Sequence, residues 1–365
     1  MMFLKFIRRV AIFLRPQWQL GGLPFSSVPN GTQWQPMLAI KNSRHTKNSM
    51  IKCKKKNKLK GKELLKMEVK KYLLENQESF ELKDIFDCGQ CFRWNKEENG
   101  SYTGIWQRNV VNVSIVKQNT DLTNDILFEG IFENENYKEE IEKYFDLKRN
   151  YSKIKNELSN IDENLKQSTI YGKGIRILNQ DLWETIISFI ISANNNIPRI
   201  KGIIERLSKA YGKKIIFNKK EYYTFPSPEE LKNVTVEDYR KLGLGFRDIR
   251  LYETTKMILE KQIDLEKLKN NPNTNEVRES LLKLSGVGPK VADCILLFSE
   301  LKRFEVFPID VWVRRVMNEL YIKEENEEKV SKKKIEELAK DKFGNLAGLA
   351  QQYLFYWRRE NDKMA

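Results

Sequence analysis

The 365-residue chain has one histidine, His45, and four cysteines, Cys53, Cys88, Cys91 and Cys294. His45 and Cys53 belong to a head, residues 1–62, that carries 14 Lys or Arg and no Asp or Glu. Whatever folds beyond residue 62 therefore lacks histidine, which excludes Ser-His-Asp and Cys-His catalysis and any His-ligated metal there. Its three cysteines cannot fill a four-ligand zinc or iron–sulfur site without another residue type. So few cysteines suit a reduced intracellular compartment: the bacterial cytoplasm, or the nucleus or mitochondrion of a eukaryote. A long apolar run is missing too, because Lys5, Arg8 and Arg9 interrupt residues 1–15, so no membrane span is expected.

What is present in excess is positive charge, +15 overall, which points to a polyanionic partner. The charge sits in the head; the remainder balances 51 basic against 50 acidic residues and is nearly neutral. Pro16, Pro24, Pro29 and Pro36 and the lysine run at 52–62 predict a disordered head. Its role is open between a DNA tether, a targeting segment and an upstream extension with translation starting at Met50 or Met67.

Residues 63–165 read as an antiparallel β domain, with short strands at 91–94, 102–106, 110–116 and 126–128 and a hairpin signal at Asn99-Gly100. From about 166 to 365 the period is helical. Leu182, Ile186, Phe189 and Ile190 form one apolar stripe, and Ile200, Ile203, Ile204 and Leu207 another. Ser227-Pro228 with Glu230 predicts a helix start, and further helices are expected near 235–241, 246–261, 274–283, 289–300, 311–320, 332–341 and 345–358. The fold class is α+β.

The segment Leu284-Ser285-Gly286-Val287-Gly288-Pro289-Lys290 ends one apolar helix, turns on two glycines and opens the next helix with proline. Such a turn presents unpaired backbone N–H groups at a helix N-terminus, a phosphate site without base readout. Twenty residues beyond Lys290, Asp310 stands before a helical run, where an aspartate caps. Either feature alone is ordinary; a hairpin, an amine at its exit and a carboxylate opening the next helix form a pattern.

At these residues the chain resembles the 8-oxoguanine DNA glycosylase/lyases of the helix-hairpin-helix superfamily. The resemblance extends to Cys88-Gly89-Gln90-Cys91-Phe92-Arg93-Trp94, Tyr144-Phe145-Asp146-Leu147, Asn194-Asn195-Asn196 and Lys241-Leu242-Gly243-Leu244-Gly245-Phe246-Arg247. It implies an N-terminal antiparallel β domain followed by a helical helix-hairpin-helix domain, a monomer, and duplex DNA containing 8-oxoguanine as substrate. By the same resemblance Lys290 is the nucleophile, and the helix N-terminus is expected to disfavour its ammonium form. Asp310 would stabilise charge on the sugar and move protons. Cys294 and Phe355 would sandwich the flipped base, Gln351 would bond its Watson–Crick edge, and the Gly89 carbonyl would accept from N7–H. Asn194 would fill the gap left in the duplex, Phe246 would wedge it, Arg199 and Arg247 would read the opposite cytosine, and Gly286, Val287 and Gly288 would hold a phosphate.

No catalytic cofactor or metal is implied; a cation bridging the 284–288 carbonyls to a phosphate is the one ion the pattern allows. Two positions depart from the eukaryotic pattern: Phe246 replaces tyrosine and Trp312 replaces a histidine. The Cys88-x-x-Cys91 spacing also fits a redox or metal pair, but partner ligands are missing. Two other readings remain: a monofunctional alkylated-base (3-methyladenine type) glycosylase, which needs no lysine, and a non-catalytic DNA-binding module.

Overall fold

The computed structural model describes residues 68–120, 122–326 and 329–364. The expected disordered head, with His45 and Cys53, lies outside these residues.

Five strands, β1 (Lys70–Glu78), β2 (Trp94–Lys96), β3 (Tyr102–Trp106), β4 (Asn109–Gln118) and β5 (Thr123–Ile131), form an antiparallel sheet in the order β1-β5-β4-β3-β2. The Asn99-Gly100 turn joins β2 to β3, with Gly100 at φ +84. A short helix, α1 (Leu82–Phe86), and the next helix, α2 (Tyr137–Tyr144), cover the sheet. Between them Trp94, Trp106, Tyr144 and Phe145 pack ring on ring, Trp106 stacking on Tyr144 at 4.4 Å. The Trp94 indole N–H donates to the Tyr144 hydroxyl at 3.0 Å, so the buried polar tips satisfy each other.

The helical part begins with α3 (Tyr151–Ser159) and α4 (Glu163–Tyr171), whose Tyr151, Ile154, Leu158 and Leu165 join the larger core rather than the sheet's. It continues with α5 (Leu182–Ser192), α6 (Ile197–Tyr211), a hairpin of β6 (Lys214–Phe217) and β7 (Lys220–Tyr223), α7 (Val236–Lys241), α8 (Asp248–Leu259), α9 (Leu265–Asn270), α10 (Thr274–Leu282), α11 (Pro289–Phe298), α12 (Val311–Met317), α13 (Lys332–Phe343) and α14 (Ala347–Met364). No helix among the described residues is long and apolar enough to cross a membrane. The helix start expected at Ser227-Pro228 is instead a turn: Ser227 and Glu230 bond each other's backbone N–H groups, yet the helix waits for Thr235, which makes a capping box with Asp238.

Helix α5 organises everything that follows. Asp181 caps it by accepting from the Glu184 N–H at 2.8 Å, and nine of its eleven residues are buried. A helix apolar all round belongs in the centre of a bundle, where each Leu, Ile or Phe side chain contributes about 1.5–3 kcal/mol by leaving water.

The sheet and the helices are tied by cations. Arg176 donates to the carbonyls of Ser79, Glu78 and Asp146 at 2.8, 2.9 and 3.0 Å. Lys302 donates to the Ile177 carbonyl and lies 3.5 Å from Asp146 Oδ2, with its side chain only 8% exposed. Burial pushes the Lys302 pKa down to about 7, with Asp146 opposing. Below pH 7 both folded and unfolded chains hold this proton and the full penalty is present. From about pH 7 towards the ordinary lysine range only the unfolded chain holds it, so stability rises with pH, by up to about 1.4 kcal/mol per unit. Urea unfolding of wild type and Lys302→Met at pH 7 and 9 checks this: the wild type is expected to gain stability relative to the variant.

Candidate active site

Between α10 and α11 the chain turns through Leu284–Gly288, and the Val287 N–H closes the turn on the Leu284 carbonyl at 3.1 Å. Gly286 stands at φ +84, and a Cβ there would lie 2.8 Å from Arg250 Cδ and 3.1 Å from Ile190 Cγ2. Both conformation and packing therefore demand glycine at 286. Gly288 caps α11 from extended backbone, and a Cβ on it would meet nothing within 4 Å. The protein leaves that side open, as approach by a ligand to the backbone requires.

Lys290, the second residue of α11, is a turn away from Cys294, and its Nζ stands 5.6 Å over the Phe189 ring of α5. Asp310 caps α12: it accepts from the Val313 N–H through Oδ1 at 2.8 Å, leaving Oδ2 outside the cap. Cap and catalytic carboxylate are thus compatible roles for one side chain.

The charge state of Lys290 corrects the expectation of a depressed amine. Cys294 and then Asp310 raise its pKa above the lysine range, against its burial. Burial also pushes the Cys294 thiol up to about 11, and Lys290 in turn opposes that shift. The resting nucleophile candidate is an ammonium that must give up a proton before it can attack.

On α14, Gln351 is 6% exposed and its buried Oε1 has no protein partner. Such an orphan is costly unless something else donates to it. Phe355 follows one turn later, and its ring edge lies 3.8 Å from where a Cβ on Gly89 would stand. Gly89 itself is at φ +94, in the 87–90 loop ahead of β2. Its neighbours Cys88 and Cys91 are buried free thiols, with Cys88 pushed up to about 12 by burial.

The remaining candidates gather at the end of α5. Asn194 follows the helix in the left-handed conformation, φ +51, one of the few non-glycine residues that tolerates this ending. Asn196 then caps α6 by accepting from the Arg199 N–H at 3.0 Å. Arg199 is exposed and makes one long bond, 3.4 Å, to the Gly243 carbonyl. Arg247, by contrast, is 1% exposed. It donates through Nε to Ala193 (3.0 Å), through Nη1 to Leu244 (3.1 Å), and through Nη2 to Ala193 (2.5 Å) and Asn194 (2.8 Å). Four of its five N–H groups are used, so in this state one is left for a base. Phe246 is 53% exposed, with the guanidinium carbons of Arg247 and Arg250 at 4.2 and 5.0 Å from its ring centre.

One helix thus relates three groups: Phe189 under Lys290, Ile190 against Gly286, and Ala193–Asn194 bonded to Arg247. Sequence reasoning missed Phe189, Arg250, Gln352 and Arg359, which carry no motif. Trp312 is half-buried with its indole N–H orphaned, so it has a donor in place of the missing imidazole.

Two family models match the chain: the N-terminal domain of 8-oxoguanine DNA glycosylase over residues 72–186, and the HhH-GPD superfamily base excision DNA repair proteins over residues 187–342. An N-glycosylase/DNA lyase of Saccharomyces cerevisiae is 32% identical over 77% of this chain and 84% of its own. Among solved structures, the apo form of Clostridium acetobutylicum 8-oxoguanine glycosylase/lyase is 47% identical with a TM-score of 0.72, covering 79% of this chain and 97% of that one. The same enzyme bound to duplex DNA with cytosine opposite 8-oxoguanine is 46% identical, TM-score 0.73, covering 81% and 98%.

Proposed function

The chain belongs to the 8-oxoguanine DNA glycosylase family within the HhH-GPD superfamily, and from that premise we propose that it excises 8-oxoguanine opposite cytosine in duplex DNA and then cleaves the strand, with Lys290 as nucleophile. The observation that carries the proposal is the grouping of a half-buried Lys290 with Asp310 at the exit of the glycine turn.

The flipped base enters between Phe355 and Cys294, supplies the donor that the Gln351 oxygen lacks, and gives its N7–H to the Gly89 carbonyl. Guanine has an acceptor at N7, so acceptor would face acceptor, a penalty of about 1–3 kcal/mol. Leaving the stack costs a few kcal/mol more and favours damaged bases. Once Lys290 has lost a proton, its nitrogen bonds C1′, and the glycosidic bond breaks with its electron pair on the base, which takes up a proton. The nitrogen, now a secondary ammonium, loses a further proton, and its lone pair forms the C1′=N bond as the C1′–O4′ bond breaks and O4′ gains a proton, to leave a protonated Schiff base. Loss of a C2′ proton expels the 3′ phosphate by β-elimination. Asp310, through the oxygen outside its cap, offsets positive charge on the sugar in the first step.

A cation at the hairpin would be held by carbonyls alone. Leu284 and Ser285 each accept one bond, from the Val287 N–H and the Thr254 hydroxyl, and each retains a second lone pair for it. It would neutralise a DNA phosphate there. Since Arg247 is largely committed to carbonyls, opposite-base preference rests on exposed Arg199. Arg199→Ala is expected to narrow the preference for cytosine over the other three bases by about 10-fold, measured as single-turnover excision. An unchanged ratio would return that role to Arg247.

Incubation with an 8-oxoguanine:cytosine duplex tests the proposal: free base and a strand nick are expected together. Base release without a nick would favour the monofunctional alkylated-base reading, and no release of any damaged base the binding module.

A further inference from the structure

The 87–90 loop disposes of its backbone polar groups unevenly. The Asp87 carbonyl accepts from Arg359 Nη2 at 2.5 Å, the Cys88 carbonyl from Gln352 Nε2 at 2.8 Å, and the Gln90 carbonyl from Gln180 Nε2 at 2.7 Å. The Gln90 side chain donates through Nε2 to the buried Cys88 sulfur at 3.4 Å. Among the described residues only the Gly89 carbonyl of this loop is left without a donor. Gly89 is half-buried, so its carbonyl, flanked by three engaged neighbours, is the acceptor this loop offers to a ligand donor.

Two of the three donors come from α14. Gln352 and Arg359 are seven residues apart, and Phe355 falls between them along the helix. The Arg359 side chain is 16% exposed; its guanidinium lies 5.4 Å from the Phe355 ring centre, and Nη1 is 3.4 Å from where a Cβ on Gly89 would stand. One guanidinium therefore ties the loop's carbonyl, Gly89 and the Phe355 ring into a single unit.

We propose that Gln352 and Arg359 are positioning residues for lesion discrimination. By occupying the carbonyls of residues 88 and 87 they hold the 89–90 peptide with its oxygen towards the base. The inference rests on the reading that Gly89 accepts from N7–H. Glycine at φ +94 gives little resistance to rotation of the adjoining peptides, so without the clamp the same peptide can turn its N–H to the base. Once the oxygen is no longer held towards the base, the N7–H of the lesion loses its acceptor and the preference shrinks.

Binding to two duplexes that carry uncleavable 2′-fluoro nucleotides, 8-oxoguanine or guanine opposite cytosine, reads this directly. Wild type, Gln352→Leu, Arg359→Met and Arg359→Lys are compared, with thermal unfolding of each. Wild type is expected to prefer the lesion, and Gln352→Leu and Arg359→Met to lower the ratio of the two Kd values by about 3- to 10-fold with guanine binding unchanged. Arg359→Lys, which keeps a donor and the charge, is expected to recover part of the ratio. If Gln352→Leu fails to fold, the two Arg359 variants decide. Equal weakening towards both duplexes would overturn the inference and leave these residues as scaffold. No preference in the wild type would overturn the Gly89 reading and this inference with it.

Discussion

Replacing Lys290 with glutamine is expected to lower base release and strand cleavage together, by at least about 10⁴-fold in single-turnover rate, while duplex binding persists. Glutamine approximates the length of the side chain and keeps a donor towards Cys294, but an amide cannot form an imine. The raised pKa of Lys290 sharpens the expectation. With its pKa raised, chiefly by Cys294, the resting amine carries a proton at neutral pH and must lose it before it attacks. For the wild type, base release should therefore increase with pH through the neutral range, because the neutral amine is a small and growing fraction. Base release that survives in Lys290→Gln would mean that water, not the amine, attacks.

Asp310→Asn is expected to separate the two activities. Asparagine caps a helix about as well as aspartate, so the bond from the Val313 N–H persists and the start of α12 stays intact. What is lost is the negative charge, and with it both the stabilisation of the developing sugar cation and the hold on the Lys290 proton. Base excision should fall about 10²- to 10³-fold. On DNA that already contains an abasic site no glycosidic bond has to break, and the amine, freed from the carboxylate, is more readily neutral. Lyase activity on that substrate should fall far less. A parallel loss of both activities, with unfolding unchanged, would assign Asp310 to the lyase step as well.

Periodicity finds α5 and α6 because their apolar residues recur at helical spacing, and it places the sheet because β3, β4 and β5 alternate or run apolar. It misses β1, an edge strand whose lysines, glutamates and glutamine read as a polar coil; pairing with β5, not propensity, makes it a strand. It misses the β6–β7 hairpin because Asn218-Lys219 supplies two positive φ values without a glycine. The Ser227-Pro228 signal is locally correct, since the side chains do bond as a cap would, but no helix follows.

For the candidate site, local chemistry at the hairpin and the Asp310 cap is legible, because it depends on backbone and near neighbours. The charge state of Lys290 is only half legible: Cys294 is one turn along the same helix and in reach by spacing alone, whereas Asp310 reaches the amine only once α11 and α12 are packed. The burial of Arg247 is hidden for the same reason. Its carbonyl partners at 193 and 194 lie more than fifty residues away and are exposed to it only because Asn194 turns left-handed. The +15 of the whole chain proves a poor guide to the site, since 14 of those charges precede residue 63. Arg199, Arg247, Arg250 and the glycine turn supply the local positive potential instead.

The proposed chemistry turns on a covalent bond between Lys290 and the damaged nucleotide's sugar. Borohydride reduction during turnover on an 8-oxoguanine:cytosine duplex tests it most directly. For the wild type a protein–DNA adduct stable to denaturation is expected, mapped by mass spectrometry to Lys290 and absent from Lys290→Gln. Base release by the wild type with no trapped adduct, or an adduct mapped to another residue, would contradict it.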